Sequence, residues 1–366
     1  MGPLLTLAGD CAIFCKTAPW KDQNVVDLSR TRMNVSFNVR KVGATDLGPI
    51  HRAVDIVPDV KHVFVCMPYE GIHVIDVADP RRPWVIDNWG WWQEGWFPIR
   101  MKIVGTYAYV VGSVPRQSPG LRILDISRPT HPRELGYCKG DGVGGWEPFH
   151  WDIAIAGTLA YMIFDGNLVW VVDVSNPRAP EEVSDILMEA PTTAIQIRGD
   201  LAYVVAHGLH VMDLRDPVAP IIVGYCNTTA RSQVKSSSSF PGEDPMCRPL
   251  VVGRDRAYVS DTQGGYRILD LSHPQKPSPI GWLHPPTDMR DVDFAVNGDF
   301  AFMLEIGSRG HVRVLDMGDP LDPVTTGYRD IPYPCHCLAL SGEHLYVAGF
   351  THFGIYDCSA AMQKTS

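Results

Sequence analysis

Short runs of alternating apolar and polar residues fill the chain, and each run predicts a β-strand. One pattern recurs six times: an apolar run, an aspartate and a Pro-x-x-Pro turn, as in IHVIDVADPRRP and LRILDISRPTHP. A seventh copy, FGIYDCSAA, lacks the prolines. The repeated aspartates lie 40 to 57 residues apart, at Asp76, Asp125, Asp173, Asp213, Asp270, Asp316 and Asp357. Repetition at this period is typical of a repeat architecture.

Each copy predicts four antiparallel strands. An alternating strand, a glycine or similar turn and an Ala-Tyr strand precede the aspartate strand, as in MKIVGTYAYVV. A further short strand such as ELGYC follows the prolines. Four strands repeated seven times are the sequence form of a β-propeller. We therefore predict an all-β fold, a seven-bladed β-propeller.

The last copy ends at Asp357 without a fourth strand, whereas the alternating segment 34–43 belongs to no copy. We expect this N-terminal strand to complete the last blade and close the ring, which removes exposed strand edges. The predicted organisation is an N-terminal extension at 1–32, a propeller at 33–361 and a tail at 362–366. The expected blades are 51–92, 94–142, 147–189, 190–229, 244–286, 287–331, and 332–361 together with 33–44.

The apolar run, aspartate and Asn/Asp-Pro-x-x-Pro motif, present in six full copies between residues 51 and 358, resemble the LVIVD-repeat family of β-propellers. The Gly-His and Trp-Asp signature of WD40 blades is not found. The resemblance implies the propeller fold, but a fold shared by many proteins does not define an activity.

Composition and charge exclude several classes of partner. The net charge is −9, and the chain has no run of lysines and arginines, which argues against nucleic acid. No stretch reaches the roughly 18 apolar residues that a membrane span needs. We expect no membrane span, and the oligomeric state cannot be read from the sequence.

The cysteines and two glycosylation sequons favour the secretory pathway or secretion, with the cytoplasm as the alternative. The sequons are at Asn34 and Asn227. The candidate disulfide pairs are Cys226 with Cys247, Cys11 with Cys15, and Cys335 with Cys337. Nine cysteines leave at least one thiol, and connectivity cannot be read from sequence.

The repeated aspartates are predicted to be structural, because each ends a strand where its carboxylate can accept N–H groups of the following turn. In a propeller, the glycine turns and the Pro-x-x-Pro turns open on one face, here called the Pro-x-x-Pro face. Loops between blades, and between second and third strands, open on the other, the blade-to-blade face. The irregular loops 88–97, 112–120, 138–151, 226–247 and 305–310 all lie there. Variable loops on a rigid scaffold carry binding sites, so we predict the functional site on this face.

Aromatic and polar residues converge on this face where the first strands of the blades begin. The predicted substrate-binding residues are His51, Arg52, Trp91, Trp92, Trp96, Phe97, Trp146, Phe149 and Trp151. The predicted catalytic residues are His150, His336, Arg100, Arg248, Arg290, Asp152 and Asp291. A few polar groups within an aromatic wall are typical of a small-molecule pocket. Two structural alternatives stay open: the indoles plug the channel mouth, and charges such as Arg100 and Asp152 pair across neighbouring blades.

Three function classes fit these residues. A metal-dependent hydrolase or lactonase would use the histidines and carboxylates, although the arginines oppose a bound cation. A non-catalytic ligand- or protein-binding propeller would need only an apolar patch. The third is an enzyme that works without cofactor on apolar small molecules by holding two reactants together.

The third class matches a second resemblance. An acidic LVIVD-type propeller with sequons, paired cysteines and a tryptophan-lined funnel resembles the fungal hetero-Diels–Alderases of tropolonic sesquiterpene biosynthesis. This resemblance implies that a hydroxymethyl tropolone loses water and that the resulting o-quinone methide adds to a humulene-type sesquiterpene. The tryptophans would form the walls, His150 or His336 would supply the acid, and Arg100, Arg248 or Arg290 would hold the tropolonate oxygens.

Overall fold

The computed structural model describes twelve stretches of chain: residues 25–31, 38–48, 52–90, 95–114, 118–140, 151–164, 166–228, 250–260, 265–284, 290–306, 310–332 and 335–363, with backbone alone at 290–292. These residues form 29 β-strands and one 3-10 turn at Leu28–Arg30. None of them forms a helix long and apolar enough to cross a membrane.

Two strands precede the repeats: β1 (Val25–Asp27) and β2 (Arg40–Asp46). Blade 1 consists of β3 (Asp55–Pro58), β4 (His62–Met67), β5 (Gly71–Asp76) and β6 (Trp84–Trp89). Blade 2 consists of β7 (Phe97–Val104), β8 (Tyr107–Ser113), β9 (Pro119–Asp125) and β10 (Arg133–Lys139). Blade 3 consists of β11 (Asp152–Ala156), β12 (Leu159–Ile163), β13 (Leu168–Asp173) and β14 (Glu181–Leu187). Blade 4 consists of β15 (Ala194–Arg198), β16 (Leu201–Val205), β17 (Gly208–Asp213) and β18 (Ile221–Asn227). Blade 5 contains β19 (Leu250–Val252), β20 (Arg256–Ser260), β21 (Tyr266–Asp270) and β22 (Ser278–His284). Blade 6 consists of β23 (Arg290–Asn297), β24 (Phe300–Ile306), β25 (Gly310–Asp316) and β26 (Val324–Ile331). Blade 7 contains β27 (Cys335–Ser341), β28 (His344–Gly349) and β29 (His352–Asp357).

The seven sheets form a closed ring, which confirms the predicted seven-bladed propeller. The first strand of each blade contacts the first strand of the next, and β27 of the last blade contacts β3 of the first. These inner strands therefore line the central channel. Seven buried apolar clusters lie at the seven seams between blades, each built from two neighbouring blades. Burial of these faces against each other is the main stabilising term.

The N-terminal strand closes the ring as predicted. Strand β2 pairs antiparallel with β29, from Arg40 opposite Asp357 to Asp46 opposite His352, and supplies the fourth strand of blade 7. An ion pair of 2.7 Å joins Arg40 and Asp357 at the end of this pairing. The strand begins at Arg40, later than the alternation at 34–43 suggests.

The segment before β2 has an arrangement that the sequence pattern does not reveal. Strand β1 adds in parallel to β22, so blade 5 has five strands. Thr31 Oγ1 lies 3.1 Å from Thr325 Oγ1, and the Asn38 side chain donates to the Thr326 carbonyl at 3.0 Å, both on β26 of blade 6. One N-terminal segment thus contacts blades 5, 6 and 7.

The repeated aspartates are structural, as predicted. In all seven, one carboxylate oxygen accepts the backbone N–H two residues later at 2.8 to 3.0 Å. In Asp357 these bonds, with the Ser359 hydroxyl contributing most, lower the carboxyl pKa to about 2. The first hairpin turns use glycine with φ near +60° in five blades, at Gly105, Gly157, Gly199, Gly298 and Gly342.

The glycine of the fourth strand is a docking position for the next blade. A Cβ at Gly136 would overlap the carbonyl oxygen of Pro177 in the neighbouring Pro-x-x-Pro turn, and Gly224 has the same relation to Pro274. A β-bulge precedes this position, where the pairing of β10 shifts between Glu134 and Gly136. The proline turn and the glycine therefore recur together because each blade packs on the next.

The expected disulfide between Cys335 and Cys337 is wrong. A bulge in β27 separates the two residues, so Cys335 packs at the seam of blades 6 and 7 and Cys337 at the seam of blades 7 and 1. The structure joins none of the six cysteines of its described part in a disulfide. Cys226 is a thiol whose pKa burial raises to about 11. Its suggested partner Cys247, like Cys11 and Cys15, lies outside the described residues.

Candidate functional site

The mouth of the channel on the blade-to-blade face holds several predicted site residues. The structure describes Arg52, Trp96, Phe97, Arg100, Trp151, Asp152 and His336. The side chains of Arg290 and Asp291 on β23 lie outside the described part, as do His51, Trp91, Trp92, Trp146, Phe149, His150 and Arg248. The sequon residue Asn227 is exposed at the end of β18, and Asn34 is outside the described part, so glycosylation stays a prediction.

His336 is the extra residue of the bulge in β27, which turns it out of the regular strand pairing. Its ring meets Phe350 edge-on, with 4.9 Å between the ring centroids. Burial, and secondarily the charge of Arg52, lower the imidazole pKa to about 3. The Nε2 atom is buried and has no hydrogen-bond partner among the described residues. His336 is therefore a neutral imidazole beside a guanidinium, with one buried polar atom available to a ligand.

Arg100 adds a second cation to the mouth. Its Nη1 donates to the carbonyl oxygen of Val54 in blade 1 and, at 3.3 Å, to that of Ile99. Both acceptors are backbone groups, so these bonds orient the guanidinium without neutralising its charge. The expected pair with Asp152 is not formed, because that carboxylate is occupied by other donors.

Asp152 joins two blades rather than facing a ligand. One carboxylate oxygen accepts from the backbone N–H of Ile153 at 2.9 Å, and the other accepts from Ile195 of blade 4 at 3.0 Å. Both oxygens are held by the inner strands, which explains the residue without a catalytic role. The suggested catalytic role of Asp152 is therefore not supported by its contacts.

The same device recurs at two other seams. Asp55 bridges blades 1 and 2 by accepting from its own strand and from Met101 at 2.9 Å. Asp293 bridges blades 6 and 7 by accepting from its own strand and from Leu338 at 2.8 Å. Between blades 4 and 5 the bridge is an uncharged residue, Gln196. Its side-chain amide donates to the Leu250 carbonyl and accepts from the Val252 N–H, both on β19. We call these four residues the inner bridges.

The aromatic residues divide into buried and exposed groups. Trp96 and Trp151 are 2% and 1% exposed, so both indoles pack within the protein. This favours the structural alternative for these two tryptophans. Phe97 is half-buried and lies against Tyr69, with 4.8 Å between ring centroids, and Tyr69 is 60% exposed. Phe97 and Tyr69 thus form part of the described aromatic surface of this face.

Sequence reasoning missed Tyr69 and Phe350. Both are single aromatic residues in short turns between second and third strands, where no periodicity marks them. Their placement in loops of the blade-to-blade face was the only available signal. Within the described residues, no group of three or more His, Cys, Asp or Glu is arranged to hold a metal ion.

Comparison with known proteins places this geometry in a repeat class. The model of the LVIVD repeat matches residues 100–139, 150–187, 191–228 and 250–282, which correspond to blades 2 to 5. The chain carries LVIVD repeats. The search of curated proteins found no match to this sequence.

Solved structures share the LVIVD-repeat chain's fold at low sequence identity. The crystal structure of Chaetomium thermophilum Raptor aligns with a TM-score of 0.65 and 12% identity over 92% of this chain, which spans 29% of the Raptor chain. The computationally designed Ika8 protein aligns with a TM-score of 0.58 and 8% identity, over 87% of this chain and 99% of its own. At such identities the likeness shows the fold alone.

Proposed function

We propose that this propeller is a cofactor-independent enzyme of secondary metabolism that binds an apolar, acidic small molecule at the mouth on the blade-to-blade face. The observation that carries the proposal is the neutral His336, with its unpartnered Nε2, beside Arg52. A buried polar atom without a partner is unfavourable. A ligand oxygen that reaches Nε2 would satisfy the imidazole, and its negative charge would be favoured by the nearby guanidinium.

The surroundings of His336 favour a flat ligand with an anionic edge. Arg52 and Arg100 are permanent cations, and the ring of Phe350 borders the imidazole. Phe97 and Tyr69 supply further aromatic surface on the same face. A planar acidic ring such as a tropolone fits this combination of charge and aromatic contact.

The specific reaction we propose is an intermolecular hetero-Diels–Alder addition between a tropolone o-quinone methide and a humulene-type sesquiterpene. A hydroxymethyl tropolone forms the quinone methide when its C–O bond breaks, a ring hydroxyl loses its proton and water leaves. Addition then forms one C–C and one C–O bond, so the overall step needs no oxidant or reductant. Holding both partners in one orientation lowers the entropic part of the barrier.

The pKa of His336 redefines its role in this reaction. A group with a pKa of about 3 is deprotonated at neutral pH and makes a poor general acid there. In this proposal His336 positions the tropolone through Nε2, while Arg52 and Arg100 stabilise the negative oxygens. Of the two acids that the sequence suggests, His150 and His336, we therefore assign the loss of water to His150.

The test incubates the purified protein with a hydroxymethyl tropolone and a humulene-type alcohol, followed by chiral chromatography with mass detection against boiled protein. We expect faster formation of one stereoisomer, and a loss of roughly 100-fold in rate for Arg52→Met. The matched control is Arg178→Met, an exposed arginine on the Pro-x-x-Pro face, which should retain full rate. Equal racemic product in both tubes would overturn the enzyme proposal and favour a binding platform or a metal-dependent hydrolase.

A further inference from the structure

A cavity lies in the channel near the Pro-x-x-Pro face. Its volume is about 480 Å³. It reaches Pro58, Asn297 and Gly342, which stand at the first hairpin turns of blades 1, 6 and 7. Cavities of 300 to 1,000 Å³ are of the order that holds small organic ligands.

One side chain gives this cavity a positive charge. Lys102 on β7 lines it and is half-buried. Among the residues that the structure describes, none forms an ion pair with its ammonium group. The nearby lining carboxylate, Asp55, has its two oxygens engaged by backbone N–H groups of Ile56 and Met101. A partly desolvated ammonium gains free energy when an anion pairs with it.

The position of Lys102 is unusual for this ring. Three other seams carry a carboxylate bridge between inner strands, and a fourth carries Gln196. Blade 2 instead carries Arg100 and Lys102, two residues apart on β7, and the Arg100 guanidinium donates to the Val54 carbonyl of blade 1. The inner strand of blade 2 therefore carries cations, whereas the inner strands of these other blades carry acidic or neutral bridging residues.

The rest of the lining is largely apolar. Val57, Val252, Val296 and Leu340 are half-buried and come from four different blades. Apolar side chains left partly exposed inside a cavity favour an occupant with an apolar body. The wall thus combines one cation, Lys102, and the hydrogen-bonded carboxylate of Asp55 with several aliphatic groups.

We infer that this cavity binds a small organic monocarboxylate, with its carboxylate at Lys102 and its apolar body along the aliphatic wall. The inference rests on Lys102 and not on His336 or Arg52, so it does not depend on the proposed function. Asn297 and Gln196 place two amides in the same lining. The Gln196 amide is occupied by β19, which leaves Lys102 as the principal recognition group.

The test uses titration calorimetry with benzoate and with benzamide, which has a similar shape but no charge. We expect benzoate to bind and benzamide to bind at least tenfold more weakly. Lys102→Met should weaken benzoate binding at least tenfold, and Lys102→Arg should restore most of it. The matched control is Lys61→Met, an exposed lysine on the same face, which should bind as the parent protein does.

Equal affinity for the two probes, no binding of benzoate, or unchanged binding in Lys102→Met would each overturn the inference. Circular dichroism of each variant separates loss of binding from loss of fold. Failure here leaves the cycloaddition assay unaffected, because that assay uses the parent protein and assigns no role to Lys102.

Discussion

Aspartate carboxylates have different roles in the turns of the Pro-x-x-Pro face and in the wall of the channel. On the face, seven aspartates each accept a backbone N–H two residues away. In the channel wall, Asp55, Asp152 and Asp293 each accept a second N–H from a strand 43 to 46 residues away. The first group stabilises single turns, whereas the second joins blades. The turn aspartates could be predicted because they recur in every copy. In the part of the chain that the structure describes, the bridging aspartates occur in only three of the seven blades, so the repeat did not reveal their role.

The largest effect in this comparison is expected for Asp293→Ala. Asp293 is 1% exposed, so its removal leaves the N–H groups of Phe294 and Leu338 buried without acceptors. We expect a loss of about 3 kcal/mol in the free energy of unfolding, measured by urea denaturation. The turn substitution Asp316→Ala should cost about 1 kcal/mol or less, because water replaces the lost acceptor. Equal losses in the two variants would show that the bridges between blades have no special weight.

A smaller effect is expected for Gln196→Ala, the neutral bridge. Its amide makes two hydrogen bonds to β19, at 2.7 Å and 2.9 Å, and neither involves a charge. Neutral hydrogen bonds contribute less than charged ones, so we expect a loss of about 1 to 2 kcal/mol in the same urea assay. A loss equal to that of Asp293→Ala would mean that the hydrogen bonds between blades, and not the charge of the bridging residue, determine the loss in the free energy of unfolding.

The smallest effect concerns the pH dependence of a turn aspartate. The pKa of Asp357 is about 2, below its ordinary value of 3.8, mainly because the Ser359 hydroxyl donates to it. The stabilisation is complete above about pH 4 and is lost as the pH falls towards 2. In Asp357→Asn, we expect stability to fall less steeply over this range, with a loss below about 1 kcal/mol at neutral pH. Parallel pH profiles for the two proteins would contradict this assignment.

His336 offers a spectroscopic check on the mouth. Because its pKa is about 3, its NMR signals should not titrate between about pH 5 and pH 8. Arg52→Met removes a charge that lowers this pKa, so the pKa should rise in that variant. If His336 in the parent protein titrates near pH 6.5, it again becomes a candidate for the acid that promotes loss of water.

Features that repeat were predictable, and features that occur once were not. The blade count, the turn aspartates and the ring closure by an N-terminal strand all follow from periodic patterns of apolar residues. Strand β1 has three residues and pairs in parallel, so its short sequence carries no period that could reveal its partner. The same limit applies to Tyr69 and Phe350.

The composition of the mouth was predicted better than the role of each residue. Arg52, Arg100 and His336 do lie on the inner strands or directly before them, as alignment of the copies suggests. Burial decided the rest: Trp96 and Trp151 pack inside, and Asp152 bonds the neighbouring strand. A bulge of one residue also reversed the direction of side chains around Cys335 and Cys337, which a regular strand pattern cannot foresee.

The pairing of β2 with β29 has a consequence for synthesis on the ribosome. Residues 40–46 are made early, yet their partner strand at 352–357 is made more than 300 residues later. At roughly 5 to 20 residues per second, an early strand would wait on the order of 15 to 60 seconds with an open edge. Such non-local pairing raises the contact order and slows folding. The nascent chain is therefore exposed to wrong edge pairing until its last blade has emerged, and a chaperone present during that interval should improve the yield of folded protein.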